Sequence, residues 1–404
     1  MATLDRRRFL GLGAAAAVGL GGTGARAARS APAGGGPAIR NYVSLGRTGL
    51  VVSDVSFGSS RSADPELVRH ALARGITYFD TAESYRFGTA EEAIGEGLAG
   101  VRDKVVLATK TKAGAHDRRD GMMRALEGSL RRLNTDYVDI YYNHSINDVA
   151  RLENPEWREF TERAKEQGKI RFRGVSGHGS RLAECLRHAI DHDLADVILC
   201  AYSFAQDPDF YDRVRHTLSY VALQPELPAV LEAAKAKGVG VTAMKTLMGG
   251  RLNDLREFET GNATFAQAAF RWVLSSPRVD ALVVSMTSPA LIDEYVGGSG
   301  GARAGGEDLR LLAHYAARNG ASYCQHGCNA CAGACPHGVE IAEVLRTRMY
   351  DVDYRDPVLA RADYARLGSG AAACLGCAHR ACLDACPNGI PIAEWTRDAA
   401  RRLA

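Results

Sequence analysis

From about residue 42 to residue 300, short apolar runs alternate with amphipathic segments of helix length. Eight runs read as strands: 51–58 (VVSDVSFG), 76–82 (ITYFDTA), 104–110 (KVVLATK), 137–144 (YVDIYYNH), 171–177 (RFRGVSG), 196–203 (DVILCAYS), 239–245 (VGVTAMK) and 281–286 (ALVVSM). Between them lie PELVRHALARG, AEEAIGEGLAG, MMRALEGSLRRLN and ELPAVLEAAKAKG, in which apolar residues return every three or four positions. Several of these end in Gly or Asn, a C-cap signal. Eight strand–helix units in roughly 260 residues predict a (β/α)8 TIM barrel. The competing arrangement is an open doubly wound sheet. No G-x-G-x-x-G follows the first strand, and the count of eight favours closure. Ahead of that strand, NYVSLGRTGLVVS carries Gly46 and Gly49 around a turn and reads as a hairpin closing the barrel floor.

The first residues stand outside this pattern. MATLDRRRFLGLGAAAAVGLGGTGARA has a basic start, a weakly apolar Gly/Ala stretch and Ala25-Arg26-Ala27 as a small-residue cleavage site. Arg6-Arg7-Arg8 before Phe9-Leu10 resembles the twin-arginine export signal. Residues 1–27 are therefore expected to be a signal peptide, read by the twin-arginine export machinery, and 28–40 a Pro/Gly/Ala linker. The chain has 404 residues, 46% hydrophobic and 24% charged, which fits one large domain plus a smaller one. Its net charge of +3 comes from the leader: four arginines and one acid lie in residues 1–27, and the remainder is neutral. Nothing in that balance points to nucleic acid or an anionic membrane. No apolar run reaches the ~20 residues of a membrane span.

Polar residues recur at the strand ends, where barrels of this type place their chemistry. Asp80 closes the second strand region, Tyr85 follows in the loop, Lys110 ends the third and His144 the fourth. A phenol near pKa ~10 is a poor proton donor and acceptor at neutral pH. An ammonium beside it favours the phenolate, and a carboxylate behind holds the ammonium in place. An imidazole N–H stabilises oxyanion character on a carbonyl. The expected roles are Tyr85 as general acid/base, Lys110 tuning it, Asp80 anchoring Lys110 and His144 polarising the carbonyl.

With YVSLGRTGLVVS, FDTAESYRFGTAEEAIG, VVLATK and DYVDIYYNH in this order, residues 42–300 resemble the aldo-keto reductase family. The resemblance implies a (β/α)8 barrel, NADP or NAD bound without a Rossmann domain, and reversible reduction of a small aldehyde or ketone to an alcohol. It maps the family tetrad onto Asp80, Tyr85, Lys110 and His144; the candidates for the nicotinamide site are Gly58, Ser176, Gly177, His178 and Lys245. The cofactor side departs from the family. Ser176-Gly177-His178 stands where Ser-Asn is common, and Leu199-Cys200 where Gln is expected. SMTSPALIDEY lacks a clear Gly and basic residue for the phosphate, which leaves Met244-Lys245 and Gly249-Gly250-Arg251 after the seventh strand to meet the cofactor.

Eight of the ten cysteines fall in two quartets after the barrel: Cys324, Cys328, Cys331, Cys335 before Pro336, and Cys374, Cys377, Cys382, Cys386 before Pro387. Cys185 and Cys200 read as small apolar packing residues. The spacings C-x3-C-x2-C-x3-C-P and C-x2-C-x4-C-x3-C-P resemble the bacterial ferredoxin run. They predict two 4Fe-4S clusters in a small, mainly α-helical ferredoxin-like domain over 301–404. By analogy with two-cluster ferredoxins, the fourth cysteine of each run serves the other cluster. The sites are then Cys324, Cys328, Cys331, Cys386 and Cys374, Cys377, Cys382, Cys335. Four disulfides, or zinc held tetrahedrally by four thiolates, are the rival readings.

The two ends of the chain are mutually consistent, because the twin-arginine route carries folded protein with its cofactors in place. The leading expectation is an exported, periplasmic oxidoreductase with a redox partner protein at its clusters. A hydride carries two electrons together, whereas a cubane passes one at a time. The clusters are then structural or serve a partner; the alternative, favoured by the departures on the cofactor side and opposed by the intact tetrad, is an electron-transfer or redox-partner module whose barrel is catalytically silent. The stretch 204–226, with Tyr211, His216 and Tyr220, is expected to shape the substrate site.

Overall fold

The computed structural model describes residues 36–210, 224–248, 255–259, 263–301, 303–319, 322, 324–379 and 381–404. The expected signal peptide, linker residues 28–35, Gly249-Gly250-Arg251 and the loop residues Tyr211, His216 and Tyr220 lie outside the described residues.

Two short antiparallel strands, β1 (Tyr42–Ser44) and β2 (Val51–Ser53), form the expected hairpin. Eight parallel strands follow: β3 (Val55–Gly58), β4 (Tyr78–Asp80), β5 (Val106–Thr111), β6 (Val138–Asn143), β7 (Ile170–Gly177), β8 (Val197–Ala201), β9 (Gly240–Met244) and β10 (Ala281–Ser285). They close in sequence order, β10 pairing with β3. The run 51–58 is not one strand. Buried Asp54 breaks it, accepting from Ser299 Oγ at 2.6 Å, Gly300 N at 2.8 Å and Val55 N at 2.9 Å. A carboxylate with three donors turns the chain between floor and wall. The hairpin plugs the barrel floor with Leu45, Leu50 and Val52. At Gly46, with φ 52°, a Cβ would lie 2.4 Å from Gly240 N, so only glycine fits there.

Side-chain alternation then decides what faces where. Tyr78, Val106, Ala108, Ile140, Tyr142, Val197, Leu199, Ala281 and Val283 fill the barrel interior. Tyr141, between two inward residues, faces the helix layer and stacks on Trp157 at 6.2 Å. Gly174 in β7 lets Tyr142 lie across the interior: a Cβ there would sit 2.3 Å from Tyr142 Cδ1. Continued upward, the inward rows of β4, β5 and β6 end at Asp80, Lys110 and His144.

The described residues from 36 onward belong to one compact unit. The helix Gly306–Asn319 is part of the barrel body rather than of the cysteine-rich segment. Tyr315 stacks on Phe265 at 4.1 Å, and Asp308 pairs with Arg271. Beyond it the chain is mainly helical, with Ile341–Val352, Pro357–Tyr364, Ala381–Asp384 and Ile392–Leu403. Among the described residues no helix is long and apolar enough to cross a membrane.

Candidate active site

A cavity of about 370 Å³ opens at the C-terminal end of the strands, and Asp80, Tyr85, Lys110 and His144 all line it. Lys110 Nζ donates to Asp80 Oδ1 at 2.5 Å and to Thr81 O at 2.6 Å. Both side chains of this ion pair are almost solvent-free, 1% and 4% exposed. Lys110 Nζ also lies 5.0 Å from the centre of the Tyr85 ring, and the His144 ring meets Tyr85 edge-on at 5.5 Å. Tyr85 is half-buried in a tight turn whose next residues, Arg86 and Phe87, have φ 52° and 59°. Two non-glycine residues in left-handed conformation mark a strained loop beside the cavity.

The electrostatics differ from the expected tuning. Burial pushes the Lys110 ammonium down, against the pull of Asp80, and pushes the Asp80 carboxyl up, against the pull of Lys110. The Tyr85 phenol is pushed well above its ordinary value, by burial first and then by the charge of Asp80. Desolvation dominates at the phenol and keeps it protonated. That state suits a proton donor to a carbonyl being reduced. Burial, then the cations Lys110, Lys112, Arg151 and Arg366, hold His144 well below the usual histidine range. The neutral ring has one N–H to offer a carbonyl oxygen. Its Nδ1 is buried without a partner. The loop carrying it is clamped by Arg151, which donates to the carbonyls of Ala113, His144 and Ser145 and to Asn143 Oδ1 at 2.7–2.9 Å.

Stability should depend on pH through the same burial. Unfolded, His144 titrates near 6.5; folded, it resists protonation until well below that. As pH falls through 6.5 the unfolded chain gains a proton that the folded chain does not, so stability is lost. The expected slope from this one group is up to ~1.4 kcal/mol per pH unit below about 6.5. Urea unfolding between about pH 5 and 8, compared with His144→Gln, measures it across the range in which histidine titrates; equal slopes in the two proteins refute it.

Gly58, Ser176, His178 and Lys245 also line the cavity. Gly177 is not among its lining residues: one step out of phase, a Cβ there would meet Leu182 and the Ile146 carbonyl. The same alternation places Leu199 in the cavity wall and turns Cys200 away from it. Ser176 Oγ accepts from Ser145 N at 3.2 Å, and His178 Nε2 lies 3.3 Å from Ser145 Oγ. Lys245, at φ 60° just past β9, stands 5.6 Å from the ring centres of both Tyr350 and Tyr354. Burial lowers its pKa to about 8.

Sequence reasoning missed the outer wall. Tyr350, Tyr354, Leu359 and Asp363 reach the cavity from the cysteine-rich segment, and Lys112 ties that wall down through Asp363 at 2.5 Å. The only signal was the i, i+4 spacing of the two tyrosines after the first quartet.

None of the eight clustered cysteines is in a disulfide. A narrow cleft is lined by Cys335, Cys374, Cys377 and Cys382, with His337, His379 and Arg397. Arg397 donates to the carbonyls of Cys374 and Cys377 at 3.0 and 2.8 Å, fixing that loop. Burial pushes the Cys324 thiol up, with Cys328, Cys331 and Cys386 adding to the effect. Cys331 is raised to about 11 by burial, then by Cys328. Cys335 of the first run thus shares the narrow cleft with Cys374, Cys377 and Cys382, while Cys386 of the second run adds to the upward push on Cys324, Cys328 and Cys331, and Cys382 also acts on Cys331. Among the described residues no three His, Cys, Asp or Glu side chains stand close enough to hold a single metal ion.

A family model described as the aldo/keto reductase family matches residues 54–261. Aldo-keto reductase YhdN of Bacillus subtilis (strain 168) is 35% identical over 155 residues, 33% of this chain and 46% of that protein. Methylglyoxal reductase YeaE of Escherichia coli (strain K12) is 40% identical over 121 residues, 29% of this chain and 40% of that protein. The chain thus spans less than half the length of these two relatives. L-galactose dehydrogenase of Arabidopsis thaliana is 26% identical over 292 residues, 62% of this chain and 86% of that protein. Among solved structures, an aldo-keto reductase from Klebsiella pneumoniae in complex with NADPH is 26% identical, with a TM-score of 0.52, covering 69% of this chain and 95% of that one. The holo form of AKR11C1 from Bacillus halodurans, 22% identical with a TM-score of 0.52, covers 67% and 95% and shares the fold.

Proposed function

The chain belongs to the aldo/keto reductase family, and on that premise we propose that it is a nicotinamide-dependent oxidoreductase interconverting a small carbonyl and its alcohol. The observation that carries this reading is the convergence of Tyr85, Lys110, Asp80 and His144 on one cavity. The nicotinamide, NADPH or NADH, supplies or accepts a hydride. That a structural neighbour binds NADPH supports the same cofactor class here. The cavity fits it in part. Ser176 and the unpartnered Nδ1 of His178 offer polar contacts for an amide, and Lys245 offers a cation. Leu199 leaves the amide with fewer partners than the family's usual Gln.

The chain's own groups divide the remaining work. His144 donates its N–H to the carbonyl oxygen and steadies the charge that develops there. Tyr85 delivers the proton to that oxygen, and takes one back from the alcohol in the reverse direction. Lys110, held by Asp80, offsets the negative charge left on the phenolate. Tyr350 and Tyr354 cover the opening and exclude water. Incubation of the purified protein with NADPH or NADH and a panel of aldehydes tests the reading. Consumption of the nucleotide is expected; failure to bind either nucleotide refutes it.

For the tail we propose two 4Fe-4S clusters, on Cys324, Cys328, Cys331, Cys386 and on Cys335, Cys374, Cys377, Cys382. Eight free thiols support this, with Cys335 of the first run in the cleft of Cys374, Cys377 and Cys382, and Cys386 of the second run acting on Cys324, Cys328 and Cys331. A cubane spreads its thiolates more widely than a single ion does. Anaerobic purification is expected to give about eight irons and eight sulfides per chain, with absorbance near ~400 nm that dithionite bleaches. Zinc without sulfide, or four disulfides by mass spectrometry, is the refuting outcome.

We further propose export by the twin-arginine route to the periplasm. The support is the order Arg6-Arg7-Arg8-Phe9-Leu10 before Ala25-Arg26-Ala27. Cell fractionation should find the protein outside the cytoplasm, and Arg6→Lys/Arg7→Lys should retain it; equal distribution of the two forms refutes the proposal.

A further inference from the structure

The first cysteine run is stitched to the end of β7, next to the cavity. Gly327 N donates to the His178 carbonyl at 3.1 Å, and Gln224 Nε2 donates to Gly327 O. Gly327 has φ 75°, and a Cβ on it would come within 2.9 Å of the Gln224 side chain. This close seat brings His326, between Cys324 and Cys328 in sequence, edge-on to His178 with ring centres 6.0 Å apart. His178 lines the cavity. The second group of cysteines faces outward by contrast: His337 and His379 beside it are exposed, and Leu375 between two of its cysteines is 50% exposed.

The join between cavity and first group is also where polar atoms go unpaired. Gln325 and His326 are only 4% and 5% exposed. Both side-chain polar atoms of Gln325, both ring nitrogens of His326, Nδ1 of His178 and Oε1 of Gln224 are buried without a partner. Each such atom costs free energy if left bare, and native proteins rarely leave several together. A dense set of unspent dipoles between the cavity and the first cysteine group would respond to a charge at either end, because little water screens it.

We propose that Gln325 and His326 couple the cavity to the inner cluster, so that occupancy of the cavity and the redox state of that cluster alter each other through the His326–His178 contact. The inference rests on the reading above: a nicotinamide nucleotide in the cavity and a cluster on Cys324, Cys328, Cys331 and Cys386. No electron passes in this coupling. A reduced cluster carries one more negative charge than an oxidised one, and the dipoles between the sites orient toward it. By linkage the effect is reciprocal. The outer cluster, whose neighbouring histidines face solvent, is outside the coupled pair.

The test uses the anaerobically purified, cluster-loaded protein and 1,4,5,6-tetrahydro-NADP, a nucleotide that neither gives nor takes a hydride. Its affinity is measured on oxidised and on dithionite-reduced protein. The expected difference is on the order of tenfold. His326→Leu should bring the two affinities within twofold while iron and sulfide stay at the wild-type level. His379→Leu, beside the outer group, should keep the tenfold difference. If His326→Leu fails to take up iron, His326→Asn carries the same comparison. In the electron paramagnetic resonance spectrum, the nucleotide should perturb one of the two reduced clusters, the one lost in Cys328→Ser. Equal affinities in the wild type, or a difference that survives the His326 substitutions, overturns the coupling while the proposed function stands. Absence of nucleotide binding in both states overturns the proposed oxidoreductase function, absence of iron and sulfide overturns the proposed clusters, and either takes the coupling with it.

Discussion

Tyr85→Phe is expected to lower kcat by about 10²- to 10⁴-fold, the range for removing a positioned general acid. The substitution takes away one oxygen and keeps the ring against His144 and Lys110. The affinity for NADPH should therefore stay within a factor of about two, which separates a chemical role from a packing role. Because burial and the charge of Asp80 hold the phenol protonated, reduction of the carbonyl should be the favoured direction at neutral pH. Oxidation of the alcohol should need more alkaline conditions. A variant with unchanged turnover removes Tyr85 from the mechanism; one that also loses NADPH binding assigns it to the cavity wall.

Asp80→Ala should cost about 3–5 kcal/mol of stability, because it leaves the ammonium of Lys110 buried with only the Thr81 carbonyl as partner. Urea unfolding measures it. The double variant Asp80→Leu/Lys110→Met separates charge from shape. Replacing a buried ion pair by apolar groups of similar volume is often near neutral, so it should regain most of the lost stability while turnover stays abolished. If the double variant is as unstable as the single one, the pair is needed for folding and not only for chemistry. If Asp80→Ala unfolds at the wild-type urea concentration, the pair is more solvated than its 1% and 4% exposure implies.

Much of the site was legible because strand alternation is local. Asp80, Lys110 and His144 end the inward rows that begin at Tyr78, Val106 and Ile140, and the apolar spacing alone sets those rows. The same parity, applied one residue more strictly, would have left Gly177 out of the nicotinamide wall. The wall formed by Tyr350, Tyr354 and Asp363 was not legible. It comes from a segment distant in the chain, and no local pattern states which face a helix lays over a barrel mouth. The direction of the Tyr85 shift was missed for a related reason. Residue types name the charges, but the outcome depends on how far each is buried and where Lys110 directs its protons.

The sequence by itself determined the closed barrel, its plugged floor, the three inward rows and the two-quartet cysteine spacing, since each follows from periodicity or covalent spacing along a few residues. Tertiary structure alone decided that Asp54 splits the first run, that the phenol is held protonated, that the tail roofs the cavity and that His326 meets His178. Those depend on desolvation and on contacts between distant segments, which come into being only when the chain is folded.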